Sequence, residues 1–257
     1  MASKRIKRRD LILQVVQERG GASVNALAEM LGVSTQTIRR DIDLLCEDNT
    51  LRRRHGRIEL AEDRLNTPFD QRAGSNLAGK RAIAAVAAAQ IPDGATLFLS
   101  IGSTVLSVAQ ALTDRRELTV ITNNLSAAMA LSDEVSNRII LPGGELRLPD
   151  RDFVGEEVVS FFSRYRAEFA VFGTAGVADD GRLLEFHQSE VRASEKMRAN
   201  AQRSILVIDH SKFGRMAPAA GALIGDVDQT ICDTPPVGFA PVIDDLGDRI
   251  IFAEGAE

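Results

Sequence analysis

The chain has 257 residues, 44% of them hydrophobic and 26% charged, an ordinary globular composition that excludes wholesale disorder. Its net charge of −5 argues at first sight against a polyanionic partner, but residues 1–60 carry 12 Lys/Arg against 8 Asp/Glu while residues 61–257 carry 19 against 28, a basic head on an acidic body. Two cysteines, Cys46 and Cys232, exclude a disulfide framework, and neither a signal peptide nor a membrane-spanning run is visible, so a cytoplasmic protein without a membrane partner is expected.

The head, residues 1–60, reads as three helices and a hairpin. From Arg9 to Arg19, Leu11, Ile12, Val15 and Val16 form one apolar helical stripe, which Gly20–Gly21 ends. Ser23 is placed to cap a second helix carrying Val24, Leu27, Met30 and Leu31. After a Gly32–Val33 turn, Ser34 caps a third helix, Thr35 to about Glu47, with Ile38, Ile42 and Leu45 as its buried stripe. Two short helices across a tight turn match the helix-turn-helix plan. The third helix presents Ser34, Thr35, Gln36, Thr37, Arg39 and Arg40. Its hydroxyls and first amides suit phosphate oxygens; glutamine suits adenine and arginine suits guanine in a major groove. The run from Leu51 to Leu60 predicts a two-strand wing turning at His55–Gly56, with Arg52, Arg53, Arg54, His55 and Arg57 able to reach phosphate or the minor groove. A charge run alone would read as a solvated surface; joined to this helix spacing it reads as DNA binding.

Here the sequence resembles a family. Val33-Ser34-Thr35-Gln36-Thr37-Ile38-Arg39-Arg40-Asp41-Ile42, with Leu51 and Arg54-His55-Gly56 after it, is similar to the DeoR-type bacterial repressors. Their mark is a serine-capped "TIRRD" recognition helix and a wing ending in a His-Gly pair. Arg57 departs from the pattern, since the family usually has a second glycine there.

Residues 61–75 are polar, contain Pro68 and lack periodicity, so they read as a linker. Residues 76–257 then alternate. The pattern predicts a helix from Ala78 to Gln90, a strand from Ala95 to Leu99, a loop from Ser100 to Thr104 and a helix from Val105 to Leu112. A strand from Leu118 to Thr122, Asn123–Asn124 and a helix from Ser126 to Leu131 follow, then a strand from Arg138 to Leu141 and the turn Pro142-Gly143-Gly144-Glu145. Last come a strand from Glu168 to Phe172, the segment Gly173 to Gly176, a long helix from Ser189 to Gln202 and a strand from Ile205 to Ile208. Near-continuous apolar strands alternating with helices give an α/β domain with a mainly parallel sheet.

Ligands of such sheets bind outside the carboxyl ends of the strands. Several of those ends here suit an anion: Gly102-Ser103-Thr104, Thr122-Asn123-Asn124, Gly143-Gly144, Gly173 with Gly176, and Asp209-His210-Ser211-Lys212, where Lys212 supplies a cation. A small phosphorylated polyol or sugar fits that inventory. Neither a Walker A loop nor the dinucleotide glycine spacing is present. His55, His187 and His210 and the two distant cysteines show no metal-ligand spacing. Asp209-His210-Ser211 are consecutive, whereas hydrolase triads are built from dispersed positions. No catalytic residue, cofactor or metal is therefore expected.

The resemblance extends over this half too, through Asn66-Thr67-Pro68, Ile101-Gly102-Ser103-Thr104, Val120 to Leu125, Gly143 to Arg147, Leu183-Leu184-Glu185-Phe186, Glu190-Val191-Arg192 and Asp209 to Arg215. It implies a winged helix-turn-helix followed by a larger α/β sensor domain, similar in fold to ribose-phosphate isomerase and the CoA-transferase group. It implies an effector site using Gly102, Ser103, Thr104, Asn123, Gly143, Gly144, Glu145, Arg147, Glu185 and Lys212. Among residues alone, Glu185 and Arg192 serve equally in a salt bridge or at the ligand, whereas Lys212 reads as a phosphate contact ahead of a solvated loop charge. Ser100 stands where the family often has Asp. The function so implied is a homo-oligomeric repressor, dimer or tetramer, whose operator DNA is released on binding a phosphorylated small polyol, glycerol 3-phosphate foremost. The same scaffold answering to another sugar or alditol phosphate is the second reading, and a sugar-phosphate isomerase the third.

Overall fold

The computed structural model describes residues 8, 9, 11–13, 15, 16, 21–47, 51–54, 56–60 and 68–253, and the chain divides into two units, 1–67 and 68–257. In the smaller unit, helical residues 8, 9, 11–13, 15 and 16 (α1) are followed by α2, Val24–Met30, and α3, Thr35–Glu47. The two expected serine caps form. Ser23 Oγ accepts the Ala26 amide at 3.1 Å and Ser34 Oγ accepts the Thr37 amide at 3.2 Å, each satisfying an otherwise orphaned donor of the first turn. Ile12, Val16, Leu27, Ile38, Ile42 and Leu45 share one core.

The wing is β1, Leu51–Arg54, antiparallel to β2, Arg57–Leu60, with Arg54 opposite Arg57. Gly56 makes the turn at φ +79°, a backbone that glycine adopts without a Cβ clash. Leu51 and Ile58 point into the same core, and Ile58 exchanges two backbone hydrogen bonds with Ala22, at 2.9 and 2.8 Å. The wing is thereby part of the packed unit and not an appended loop.

The larger unit opens with α4, Phe69–Gly74, and α5, Leu77–Ala88. Residues 68–75, expected within the linker, are thus folded: Phe69 is buried and anchors α4. Then come β3, Thr96–Leu99; α6, Ser103–Ala111; β4, Thr119–Thr122; α7, Leu125–Ala130; and β5, Arg138–Ile140. A short hairpin, β6 (Leu146–Arg147) and β7 (Asp152–Phe153), and α8, Glu156–Ser163, lead to β8, Ala167–Phe172. The remainder is β9 (Gly176–Val177), β10 (Arg182–Glu185), α9 (Gln188–Ala199), β11 (Ala201–Ile208), β12 (Ala219–Leu223), β13 (Gln229–Cys232), α10 (Ala240–Leu246) and β14 (Ile250–Phe252).

Seven strands form one sheet in the order β5-β4-β3-β8-β11-β13-β14, every neighbouring pair parallel. The pleat sorts side chains to two faces. Leu97, Leu99, Val120 and Val171 pack on Ile83, Val105 and Val108 from α5 and α6, whereas Phe98, Ile121 and Ala170 pack on Phe161, Phe162 and Met197 from α8 and α9. Burial on both faces is why these strands read as continuous apolar runs. The chain winds outward from β3 to β5 and then returns to the other side of β3 for β8. That reversal makes the carboxyl ends of β3 and β8 the topological switch point.

Several predicted boundaries move, among them the strand expected from Ile205, which begins at Ala201. The helix after β3 starts at Ser103, so Ser103 and Thr104 lie in its first turn behind Gly102 at φ +120°. The long helix stops at Ala199 and not Gln202, because Asn200 ends it with its side-chain amide donating to the Phe162 carbonyl at 3.1 Å, and Ala201 already pairs with Ala167 in the sheet. Past β8, a three-stranded antiparallel sheet, β12-β10-β9, was not foreseen.

Candidate functional site

On the smaller unit, Ser34, Thr35, Gln36, Arg39 and Arg40 are exposed on α3, Thr37 is half-buried, and Ile38, Ile42 and Leu45 face the core. Ser34 and Thr37 hydroxyls also bond each other at 2.9 Å, so both serve the helix cap. Asp41, the acid of the TIRRD run, is buried: it accepts from Arg8 Nε at 2.6 Å and pairs with Arg9 at 3.5 Å, clipping α1 to α3. Its place between Ile38 and Ile42 on the apolar stripe was the signal for that role. In the wing, Arg53 pairs with Asp43, and Arg57 donates to the Gly21 carbonyl at 2.9 Å. These two arginines, expected to reach DNA, are tied to their own unit; Arg57 braces the segment before α2. Arg52 and Arg54 sit on β1, and His55 lies outside the described residues.

On the larger unit the carboxyl ends of the central strands are joined by polar side chains. Thr122 Oγ1 donates to the Leu99 carbonyl at 2.7 Å, and Asn124 Nδ2 donates to the Ser100 carbonyl at 3.1 Å while its Oδ1 caps α7. Ser100 bridges the switch point, donating to the Ile101 carbonyl at 3.0 Å and accepting the Gly173 amide at 3.4 Å. Ser103 and Thr104 are buried beside it. Asn123 is buried too; its amide donates to the Phe153 carbonyl at 3.1 Å, and its Oδ1 has no hydrogen-bond partner. A buried acceptor left open is what a ligand hydroxyl would satisfy.

Four cations gather around the end of β11: Lys212 and Arg215 from the segment after it, Arg72 from α4 and Lys80 from α5. Burial pushes the Lys212 ammonium down to about 8; the charge of Arg215 deepens the shift, Asp209 opposes it, and Arg72 and Lys80 add to it. The Arg215 guanidinium is lowered by burial and by Arg72. Burial pushes the Glu185 carboxyl up to about 8, helped by Glu190 and opposed by the Ala175 amide, Lys212 and Arg72. Neighbouring cations that lower one another's affinity for the proton are a charge arrangement that an anion would relieve.

The loop carrying Lys212 is held firmly. His210 bonds Asp233 at the end of β13 through both its ring, at 2.8 Å, and its amide, at 2.7 Å, and Asn76 reaches the same carboxylate at 2.7 Å. Burial raises the Asp233 carboxyl, but these hydrogen bonds outweigh it and hold it at about 2. On the other side, a Cβ on Gly176 would lie 1.9 Å from the Arg215 carbonyl oxygen, so the Arg215 backbone runs directly over β9. The Gly214 amide donates to the Val177 carbonyl there at 2.8 Å.

Of the predicted effector residues, Lys212 and Glu185 meet in this cluster, and Gly102, Ser103, Thr104 and Asn123 line the adjacent strand ends. Gly143, Gly144 and Glu145 lie exposed on the loop between β5 and β6. Arg147 is corrected. Its guanidinium is gripped by Asp152 at 2.6 and 2.9 Å, Glu190 at 2.9 Å and Asp150 at 3.4 Å, so it clamps its own hairpin to α9. Burial lowers its affinity for the proton, but Asp152, Glu190 and Asp150 more than restore it, and the net shift is upward. Arg192 forms the salt bridge left open above, to Glu156. Arg72 and Lys80 were missed, the first because it fell in the stretch read as a linker, the second because a helix read by periodicity does not show which strand end it packs against.

Comparison with known proteins agrees with this division. Residues 8–64 match the DeoR-like helix-turn-helix domain and residues 75–234 the DeoR C terminal sensor domain. The chain is 41% identical to the "Glycerol-3-phosphate regulon repressor" of Escherichia coli (strain K12), over 91% of this chain and 92% of that one. It is 36% identical to the "HTH-type transcriptional repressor CsqR" of the same organism, over 96% and 95%. It is 33% identical to the "Glycerol-3-phosphate regulon repressor" of Haemophilus influenzae, over 98% of each. Ribose 5-phosphate isomerase A of Methanocaldococcus jannaschii is similar to 52% of this chain and 53% of its own, at 17% identity and a TM-score of 0.38. With both domains matched and relatives aligned along nearly its whole length, the chain belongs to the DeoR family of transcriptional regulators.

Proposed function

We propose that the chain is an operator-binding repressor that lets go of DNA when its larger unit binds a phosphorylated small polyol, glycerol 3-phosphate foremost. The observation that carries the effector half is the gathering of Lys212, Arg215 and Arg72 at the end of β11, on the same carboxyl-end side of the sheet as the open acceptor of Asn123 after β4. The cations suit a phosphate of charge about −1.5 to −2, and the buried amide suits a hydroxyl. The names of the relatives at 41% and 33% identity favour glycerol 3-phosphate over other alditol phosphates. The DNA half rests on the exposed edge of α3, where Gln36, Arg39 and Arg40 stand clear of the core.

Paired heads match half-sites about one helical turn apart, so the working form is a homo-oligomer, dimer or tetramer, in the cytoplasm. No helix among the described residues is long and apolar enough to cross a membrane. No turnover of pentose or triose phosphates is expected. A mobility-shift assay on operator DNA, with and without glycerol 3-phosphate, tests the reading. Loss of the shifted band at saturating effector supports it, and unchanged affinity overturns the effector assignment. Thermal-shift screening of other phosphorylated polyols then separates glycerol 3-phosphate from its neighbours.

A further inference from the structure

Resting on that reading of the anion site, we propose that Arg72 is a shared guanidinium: it grips Asp150 in this structure and exchanges that carboxylate for the effector's anionic group, which unfastens α4 from the β6–β7 hairpin. Arg72 interacts both with Asp150 and with the charged groups of the proposed site. It is ion-paired with Asp150, and its charge is felt by Lys212, Arg215 and Glu185. It is also well shielded, its side chain 17% exposed and that of Asp150 10%. A guanidinium forks onto phosphate oxygens as readily as onto a carboxylate, and a phosphate offers more charge.

The exchange leaves no orphan. Asp150 keeps Arg147 at 3.4 Å, and Arg147 is fixed in place by Asp152 and Glu190. The helix that would respond is small. α4 has six residues, anchored by buried Phe69, over whose ring Arg72 and Arg151 both stack at 5.7 Å. Two ion pairs run from α4 to the hairpin, Arg72 with Asp150 and Asp70 with Arg151. The second is exposed, at 52% and 76%, so solvent screens it and the first carries more of the attachment. The Lys80 ammonium holds the helix's trailing end, on the Arg72 and Ser75 carbonyls, and faces Asp209 at the base of the Lys212 loop. α4 is the first element of the larger unit.

The test is a double-mutant cycle on the full chain, titrated calorimetrically with glycerol 3-phosphate and with inorganic phosphate. Asp150→Asn removes the competitor and should tighten binding about tenfold; Arg72→Gln should weaken it about tenfold; the double variant should match Arg72→Gln, the gain having vanished with its cause. Hydrogen exchange of the Phe69–Gly74 amides should quicken on adding glycerol 3-phosphate to the wild type and be quick from the outset in Asp150→Asn. Should Arg72→Gln fold poorly, Arg72→Lys keeps a cation without the fork and should still lose several-fold in affinity with an unchanged unfolding midpoint. Unchanged or weaker binding by Asp150→Asn, or additive effects in the double variant, overturns the exchange while leaving the anion site standing. Failure of the wild type to bind either probe overturns the site and the exchange with it.

Discussion

Effector affinity should collapse above about pH 8. Burial and neighbouring charge place both Lys212 and Glu185 at about 8 in the protein alone. An anion among these groups favours charged Lys212 and disfavours charged Glu185, so the complex raises both values. The complex therefore holds more protons than the free protein at alkaline pH, and affinity present below about pH 8 is lost as pH rises through it. A group that must stay protonated, with a free value near 8 and a bound value well above 9, costs about tenfold in affinity between about pH 7 and pH 9. Two such groups cost about a hundredfold. Below about pH 6 the phosphate's own second ionisation weakens binding from the other side. Calorimetric titration with glycerol 3-phosphate across this range measures the profile. Lys212→Arg, which keeps its charge throughout, should bind normally near neutrality and show about tenfold loss from Glu185 alone. Glu185→Gln should show about tenfold from Lys212 alone, and the double variant should be flat. A wild-type affinity constant from neutrality to about pH 9 would refute the placement of these two groups around the anion.

Gln36→Ala and Arg40→Ala should each weaken operator binding by about 1–3 kcal/mol in mobility-shift titrations, without moving the unfolding midpoint, since both side chains are exposed. Asp41→Ala strands Arg8 and Arg9 and should destabilise the smaller unit by about 1–3 kcal/mol, the arginines' partial exposure moderating the penalty. Urea unfolding should show an earlier transition for that unit and an unchanged one for the larger. Gly176→Ala drives a Cβ into the Arg215 carbonyl oxygen and must displace the loop that carries Lys212. It should lower the melting temperature and cost at least about tenfold in glycerol 3-phosphate affinity, read by thermal shift and calorimetry.

The capped helices, the wing and the apolar strands were legible because each is written locally. Ser23 and Ser34 stand one residue before an amphipathic stripe, and the doubly buried strands stand as unbroken apolar runs. What escaped was set by packing between distant segments. β6 and β7 are two residues each, too short for any period, yet they carry Asp150 and Asp152 to Arg147 and Arg72. Lys80, within a predicted helix but given no role there, is 2% exposed, its ammonium satisfied by backbone carbonyls eight and five residues earlier. Arg147 had the right charge for an anion and the wrong neighbours, three carboxylates that a linear reading could not bring together. The same holds for Arg53 and Arg57, whose partners Asp43 and Gly21 lie on α3 and before α2.

The anion site proposed above draws on separated stretches of chain, around residues 72–80, 100–104, 123, 185 and 209–215, each borne on a segment outside the parallel sheet or at its very end. Such a site can drift in evolution one segment at a time. On that proposal a substitution at 212 or 215 should alter what is recognised while the sheet below continues to fold as before. Ser100 is the position where that freedom stops. Its hydroxyl spans the gap between β3 and β8 by accepting the Gly173 amide, so a side chain that replaces it must still accept that hydrogen bond, whereas the bond from Asn124 goes to its backbone carbonyl and survives any replacement. Lineages that trade one phosphorylated ligand for another should therefore vary first along the outer loops and confine residue 100 to side chains that can accept the Gly173 amide.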